Sequence, residues 1–452
     1  MTDTVQLLVR GEIVTMDDAR TVVGDGAVAV AGEVIVAIGP YETLRREHPD
    51  ARIVGHADAL VTPGYINAHQ HLTGDRLVHS CIPDAIDSQE AIFGWAVPVH
   101  AAHTPDDDEL SASLAAWEAA SNGITTIVEA GTVANPERVA AAAERIGMRL
   151  RVARWGWDVD GAPFAAPSDE VVDRQRELLD RYPRGGLVEA GVSLVGHDLM
   201  SDELAVAASA LARERNAGLT FHMSPTSSDA AAYIARTGRR PLVHLEQLGV
   251  LGPHVLVGHG VHLDEAEIEC VLASGTAIAS CPWAYLRLAQ GFLAANRHDE
   301  LLRRGGHLAL GCDAENAGDA VDVLRAATLF AGMVRDRAVD PYAFTAHDAL
   351  ALATIGGARA IGLGDRVGSI EVGKQADIVV HDTRGPQFVP RSTDPVLQLM
   401  WASDGRSVND VVIAGREVIR DRRCVTIDVD AMRKEALERR DFLLGRRARS
   451  HD

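Results

Sequence analysis

The chain has 452 residues, 47% of them hydrophobic, and carries 64 acidic against 44 basic side chains for a net charge of −20. That length allows about two to four compact units, or one barrel with an appended domain, and the apolar share makes it globular. The negative balance speaks against polyanionic partners, so neither nucleic acid nor an anionic membrane surface is expected.

Residues 6–9, 13–16, 27–30 and 34–38 are short β-type runs divided by turn signals at Gly11-Glu12, Gly24-Asp25-Gly26 and Gly32-Glu33, which predicts a small antiparallel sheet. The most apolar run, residues 27–38, is broken at Gly32-Glu33 and reads as a hairpin, not a membrane span. Asp3, Glu12, Asp17 and Asp18 stand where an export signal needs a basic start and an unbroken apolar core. Five cysteines (Cys81, Cys270, Cys281, Cys312 and Cys424) are scattered without a CxxC pair, so no disulfide framework is suggested and a cytoplasmic location is expected.

After Pro63 the texture changes to apolar strands separated by segments of helical period. Strands are predicted to end at His71, Glu129, Trp155, Leu194, His222, His259, Ser280 and Asp313. Eight parallel strands over about 250 residues is the size of a closed (β/α)8 barrel. Beyond residue 361 the chain returns to β-type runs at 378–381, 408–413 and 417–419, followed by a surface helix over 428–444. The fold class is therefore α/β, a TIM barrel (62–364) inserted in a small discontinuous β-sandwich (1–61 plus 365–425), with a carboxyl-terminal helix (426–452).

Chemistry gathers at the strand ends. His69 and His71 are spaced i, i+2, so in a strand both imidazoles leave the same face. His222, His259 and Asp313 finish three further strands, and the carboxyl face of a barrel brings such residues to one rim. Three imidazoles and one carboxylate suit one divalent ion, Zn²⁺ first and Fe²⁺ or Mn²⁺ as alternatives, with a position left for water. Asp313 can serve as both ligand and general base; His259, where it is not a ligand, would polarise the substrate oxygen.

Several separated motifs carry a resemblance: Pro63-Gly64 with His69-x-His71, Val257-Gly258-His259-Gly260-Val261-His262, Ser280-Cys281-Pro282, Leu310-Gly311-Cys312-Asp313, and the run from Gly368 to Val379. Together they resemble the amidohydrolase superfamily, and within it the triazine hydrolase and guanine or cytosine deaminase branch. The resemblance implies metal ligands at His69, His71, His222 and Asp313, a catalytic histidine at His259, and a homodimer by analogy. Two-metal members bridge their ions with a barrel lysine; the lysines here are Lys374 and Lys434, outside the barrel, so a single ion is implied.

One departure bears on the reaction. The branch usually carries a glutamate three residues after the fifth-strand histidine, where it passes a proton to a ring nitrogen, and this chain has Pro225 there. The reading is then a hydrolase cleaving a non-peptide C–N bond, an amide or lactam of a small cyclic molecule, using Asp313 alone. The alternative is an aminohydrolase of a purine, pterin or triazine with Glu129 or Glu315 as stand-in acid, and a third reading is a non-catalytic binding protein of the same fold. Candidate substrate contacts are Trp95, Glu129, His197, Tyr285 (where relatives often have Asn) and Glu315. Core packing is the competing reading for Trp95 and the preferred one for Trp155 and Trp157, and Glu129 has a second reading as a partner of nearby backbone groups.

Overall fold

The computed structural model describes residues 4–87, 90–159 and 163–450. Residues 1–3 and 451–452, which the sequence reading assigned to the outer segments together with Asp3, lie outside them. The amino-terminal strands are β1 (Leu7–Val14), β2 (Val22–Ala31), β3 (Val34–Pro40) and β4 (Arg52–Pro63). Then come β5 (Tyr65–Gln70), β6 (Ile124–Glu129), β7 (Arg149–Val152), β8 (Val188–Ala190) and β9 (Val192–Gly196). They are followed by β10 (Leu219–Met223), β11 (Val255–His259), β12 (Ala277–Ser280) and β13 (His307–Leu310). The last four are β14 (Ile378–His381), β15 (Val408–Ile413), β16 (Arg416–Arg420) and β17 (Arg423–Cys424).

Strands from both ends of the chain hydrogen-bond into one eight-stranded sheet in the order β17-β16-β15-β14-β4-β1-β2-β3. The amino-terminal part is not purely antiparallel as expected, because β1 runs parallel to β4. Gly11 was also misread as a turn: β1 continues through it with a shift in register. A Cβ at Gly11 would come 2.6 Å from the Ala59 carbonyl oxygen, so glycine is there to let β4 approach closely. The turn at Gly32-Glu33 joins β2 to β3 as a hairpin.

The middle of the chain alternates strands with helices and forms two parallel sheets, β5-β6-β7-β8 and β9-β10-β11-β12-β13. Gly191 alone separates β8 from β9 in sequence, and Gln70 makes a parallel bridge to Asp313 just past β13. Along β10 the residues Leu219, Phe221 and Met223 enter the main apolar cluster with the surrounding helices, which leaves Thr220 and His222 for the opposite face. A smaller, alanine-rich cluster, including Ile66, Ala68, Val128, Leu256, Ala279 and Ala309, lies on that opposite face of the strands. Arg149 on β7 makes two 2.9 Å hydrogen bonds to the Asp377 carboxylate, locking the parallel sheets to the mixed one through a buried ion pair. The final helix, Val429–Ser450, starts next to its expected position and continues beyond it. Its Met432 and Leu443 pack against Leu77, Val78, Trp95 and Val99 in the connection after β5.

Candidate metal centre

The residues that end β5, β10, β11 and β13 meet at one point. His71 Nε2 stands 3.3 Å from His222 Nε2 and 3.4 Å from Asp313 Oδ1. His69 Nε2 is 3.9 Å from the same Asp313 oxygen, and His259 Nδ1 is 3.9 Å from Asp313 Oδ2. His69, His71 and His222 each offer a nitrogen within 4.8 Å of the others, and so do the donor atoms of His69, His259, Cys281 and Asp313. Cys281 was missed as a neighbour of this site; its signal was its place directly after β12, at the rim shared by the ligand candidates.

Two of the imidazoles are oriented from behind. His222 Nδ1 donates to the Val195 carbonyl at 2.7 Å, which leaves Nε2 as the lone-pair nitrogen. His71 Nδ1 lies 2.7 Å from Thr132 Oγ1, and that hydroxyl lies 3.4 Å from Glu129 Oε1, so the His71 tautomer is set by a chain ending in a carboxylate. Neither nitrogen of buried His69 has a hydrogen-bond partner, nor has His259 Nδ1. Orphaned buried nitrogens aimed at one carboxylate are the donor set a borderline cation satisfies, so the residues fit a divalent metal. A Cβ on Gly258 would lie 2.7 Å from His69 Cε1, so β11 must carry glycine for His69 to keep its place. His259 (φ 77°) and Asp313 (φ 67°) hold left-handed backbone conformations, a strain concentrated where the strands deliver these side chains.

Charge distribution follows from burial. Burial, reinforced by the neighbouring imidazoles, drives His222 well below the ordinary histidine range; burial does the same to His69 against the pull of Asp313. Burial lowers His259 to about 4, so it is neutral at pH 7. For His71 the burial penalty is outweighed by Asp313, with Glu129 and Asp75 adding to the rise. Burial opposes ionisation of Asp313 as well, but the hydrogen bond to His71 and the surrounding imidazoles hold it far below the usual carboxylate range.

The other candidates fall into distinct places. His197, just past β9, stacks on His222 with ring centroids 5.7 Å apart. Glu129 is fully buried and accepts from the Gly131 and Thr132 amides at 2.6 and 3.3 Å, the backbone role weighed for it; burial raises it to about 7. Glu315 is buried 3.6 Å from the Arg76 guanidinium and is raised to about 8 by burial. Tyr285 stands behind His259, its ring edge-on at 5.7 Å and its hydroxyl donating to Ala279 O at 3.3 Å. Trp95 lies in the apolar cluster beneath the carboxyl-terminal helix, and Trp155 and Trp157 pack with Val195 and Phe164. Among the described residues, no helix is long and apolar enough to cross a membrane.

The sequence profile of the amidohydrolase family matches residues 60–418, which takes in every strand that carries a ligand candidate. The chain belongs to the amidohydrolase family. Residues 26–51 match a bacterial imidazolonepropionase-like composite domain. Over 433 residues, 96% of each chain, this amidohydrolase is 32% identical to a 5-methylthioadenosine/S-adenosylhomocysteine deaminase of Syntrophobacter fumaroxidans. Its fold is similar to that of an adenosine deaminase from Xanthomonas campestris with bound zinc: TM-score 0.92, 30% identity, 98% of this chain and 99% of that one. It is also similar to an atrazine chlorohydrolase from Arthrobacter aurescens TC1 complexed with zinc: TM-score 0.86, 24% identity, 96% and 99% covered. As an amidohydrolase it acts on carbon–nitrogen bonds other than peptide bonds.

Proposed function

We propose that this amidohydrolase is a zinc-dependent aminohydrolase that removes the exocyclic amine of an adenosine-type nucleoside. The observation that carries the reading is the convergence of His69, His71, His222, His259 and Asp313 in a chain that aligns end to end with a deaminase of such nucleosides. Zinc is the ion of choice because three imidazoles and a carboxylate match its ligand preferences and the structural relative from Xanthomonas campestris holds it. When bound, the ion supplies Lewis acidity that brings a water within reach of deprotonation at neutral pH. Asp313, ionised at neutral pH, takes the proton from the attacking water and returns it to the departing amine. Neutral His259, beside Asp313 Oδ2, presents a ring nitrogen to the oxygen that gains charge as it adds to the ring carbon.

With β8 and β9 counted as one strand interrupted at Gly191, the two parallel sheets hold eight strands, and the Gln70–Asp313 bridge supports their closure into one (β/α)8 barrel over residues 62–364. The shared cluster of Val9, Ile13, Val28, Val61, Ile378 and Val412 supports folding of the mixed sheet, residues 1–61 plus 365–425, into a sandwich around it. The final helix, Val429–Ser450, is then the appended segment.

Cleavage of an amide or lactam is the second reading, favoured by Pro225 two residues past β10. Ammonia release measured across adenosine, 5′-methylthioadenosine and S-adenosylhomocysteine, with zinc counted per chain, tests the choice. Turnover of a nucleoside by zinc-loaded protein is expected. Hydrolysis of lactams with no ammonia from any nucleoside would overturn the deaminase reading.

A further inference from the structure

Hydrolytic deamination of an aminopurine has to deliver protons to two nitrogens, the leaving amine and the ring nitrogen beside it, and Asp313 serves one of them. The remaining carboxylates around the centre divide by access. Glu129, Asp75 and Glu315 are each no more than 1% exposed: Glu129 accepts from the Gly131 and Thr132 amides, Asp75 Oδ2 accepts from the Asn316 amide, and Glu315 lies buried 3.6 Å from the Arg76 guanidinium without a hydrogen bond to either carboxylate oxygen among the described residues. Asp198 is turned to Arg236, 3.2 Å away.

The histidines of the centre differ in exposure. His69 is 1% exposed and His259 6%, whereas His71 is 13% and His197 22%. Beside His197 stands Asp229, also 22% exposed, with Oδ1 3.8 Å from His197 Nδ1. Its position follows from the local fold. After β10 the chain passes Ser224 in a left-handed conformation, and Pro225 leads into a helix, Ser227–Thr237, capped by Thr226. Asp229 is the third residue of that helix; Oδ2 accepts from the Thr226 amide and hydroxyl, which fixes the carboxylate and leaves Oδ1 turned to His197. Its negative charge reaches both His197 and His259, opposing the lowering that burial imposes on each.

We propose that Asp229 is the second proton-carrying carboxylate of the reaction, relaying a proton from the attacking water to the ring nitrogen of the substrate. This rests on the deaminase reading. As the water oxygen bonds to the ring carbon, one of its protons passes to Asp313 and the ring C=N becomes C–N. The second water proton passes through the Asp229 carboxylate to the ring nitrogen. The bond to the exocyclic amine then breaks, ammonia leaves with the proton held by Asp313, and the ring carbon becomes a carbonyl. Both carboxylates end ionised, as they began.

Asp229→Glu and Asp229→Gln lengthen the side chain equally and each keeps an oxygen able to accept from the Thr226 amide, so the pair differs in the charge and in the capacity to carry a proton. With zinc-loaded protein and 5′-methylthioadenosine, Asp229→Gln is expected to lose at least about 100-fold in kcat relative to Asp229→Glu. KM and zinc content should differ by less than about threefold between the two, since a proton carrier contributes to the transition state more than to binding. Asp229→Asn should behave as Asp229→Gln. An active wild type with equal kcat in the Glu and Gln variants would overturn this proposal alone. A wild type that releases no ammonia from any nucleoside would overturn the deaminase reading and this proposal with it.

Discussion

Two sets of buried histidines differ in how their nitrogens are satisfied. His298 and His381 are fully buried, and both ring nitrogens of each are hydrogen-bonded. His298 bridges Ser280 Oγ and Gly260 O at 3.0 Å each, while His381 is held by Tyr65 Oη at 2.9 Å and Ser407 Oγ at 2.8 Å. His69 is equally buried and has no partner on either nitrogen. Burial therefore does not separate His298 and His381 from His69; the two unsatisfied nitrogens of His69 do. An unpaired buried polar atom costs about 1–3 kcal/mol, and a site that gathers several of them around a carboxylate is built for a cation.

The sharpest way to break this contrast is to remove the carboxylate at the centre of one set and a member of the other. Asp313→Ala should lose bound zinc and at least about 1,000-fold in ammonia release, read by metal analysis and steady-state kinetics, because ligand and proton carrier go together. His381→Ala should do the opposite: about 2–4 kcal/mol of stability lost in urea titration, since the hydroxyls of Tyr65, Thr62 and Ser407 lose their partner, with zinc per folded chain unchanged. A smaller effect is expected from Gly258→Ala, whose methyl pushes on His69. Zinc affinity in a competition titration should fall about 10–100-fold.

The mildest test is a slope. Burial sets His381 at about 3 and His298 at about 4 in the folded protein, both below the unfolded value of about 6.5. Between those values the unfolded chain holds a proton that the folded chain does not. The stability linked to each histidine is therefore fully present above about pH 6.5 and is lost as pH falls toward the folded value, by about 1.4 kcal/mol per pH unit. His381→Gln should reduce the acid-limb slope of stability against pH by one proton. An unchanged slope would show that His381 is not buried neutral.

The ligand candidates were legible because their signals are local. His69 and His71 share a strand face by spacing, and His222, His259 and Asp313 mark strand ends that repeat along the chain. What supports them was not legible, since Thr132 behind His71, Val195 behind His222 and Gly258 against His69 act across strands distant in sequence. Asp229 was hidden for the same reason: seven residues past His222, it returns to the rim only because Pro225 and Thr226 start a helix there. In the mixed sheet, glycine spacing was read as a turn at Gly11, where the constraint is contact with β4. The parallel pairing of β1 with β4 left no periodic trace either, because strands of a mixed sheet alternate alike in both directions.

The placing of β4 also bears on how the protein is made. β4 pairs with β1 on one side and with β14 on the other, and β14 follows about 300 residues later. At ribosomal rates that interval lasts roughly 15–60 s. Throughout it the nascent chain carries an apolar strand, Leu60 and Val61 among its residues, whose outer row of amides and carbonyls awaits a partner still to be synthesised. The first sixty residues thus carry a strand edge that needs shielding during translation, although they lie outside the parallel strands that bear the candidate ligands.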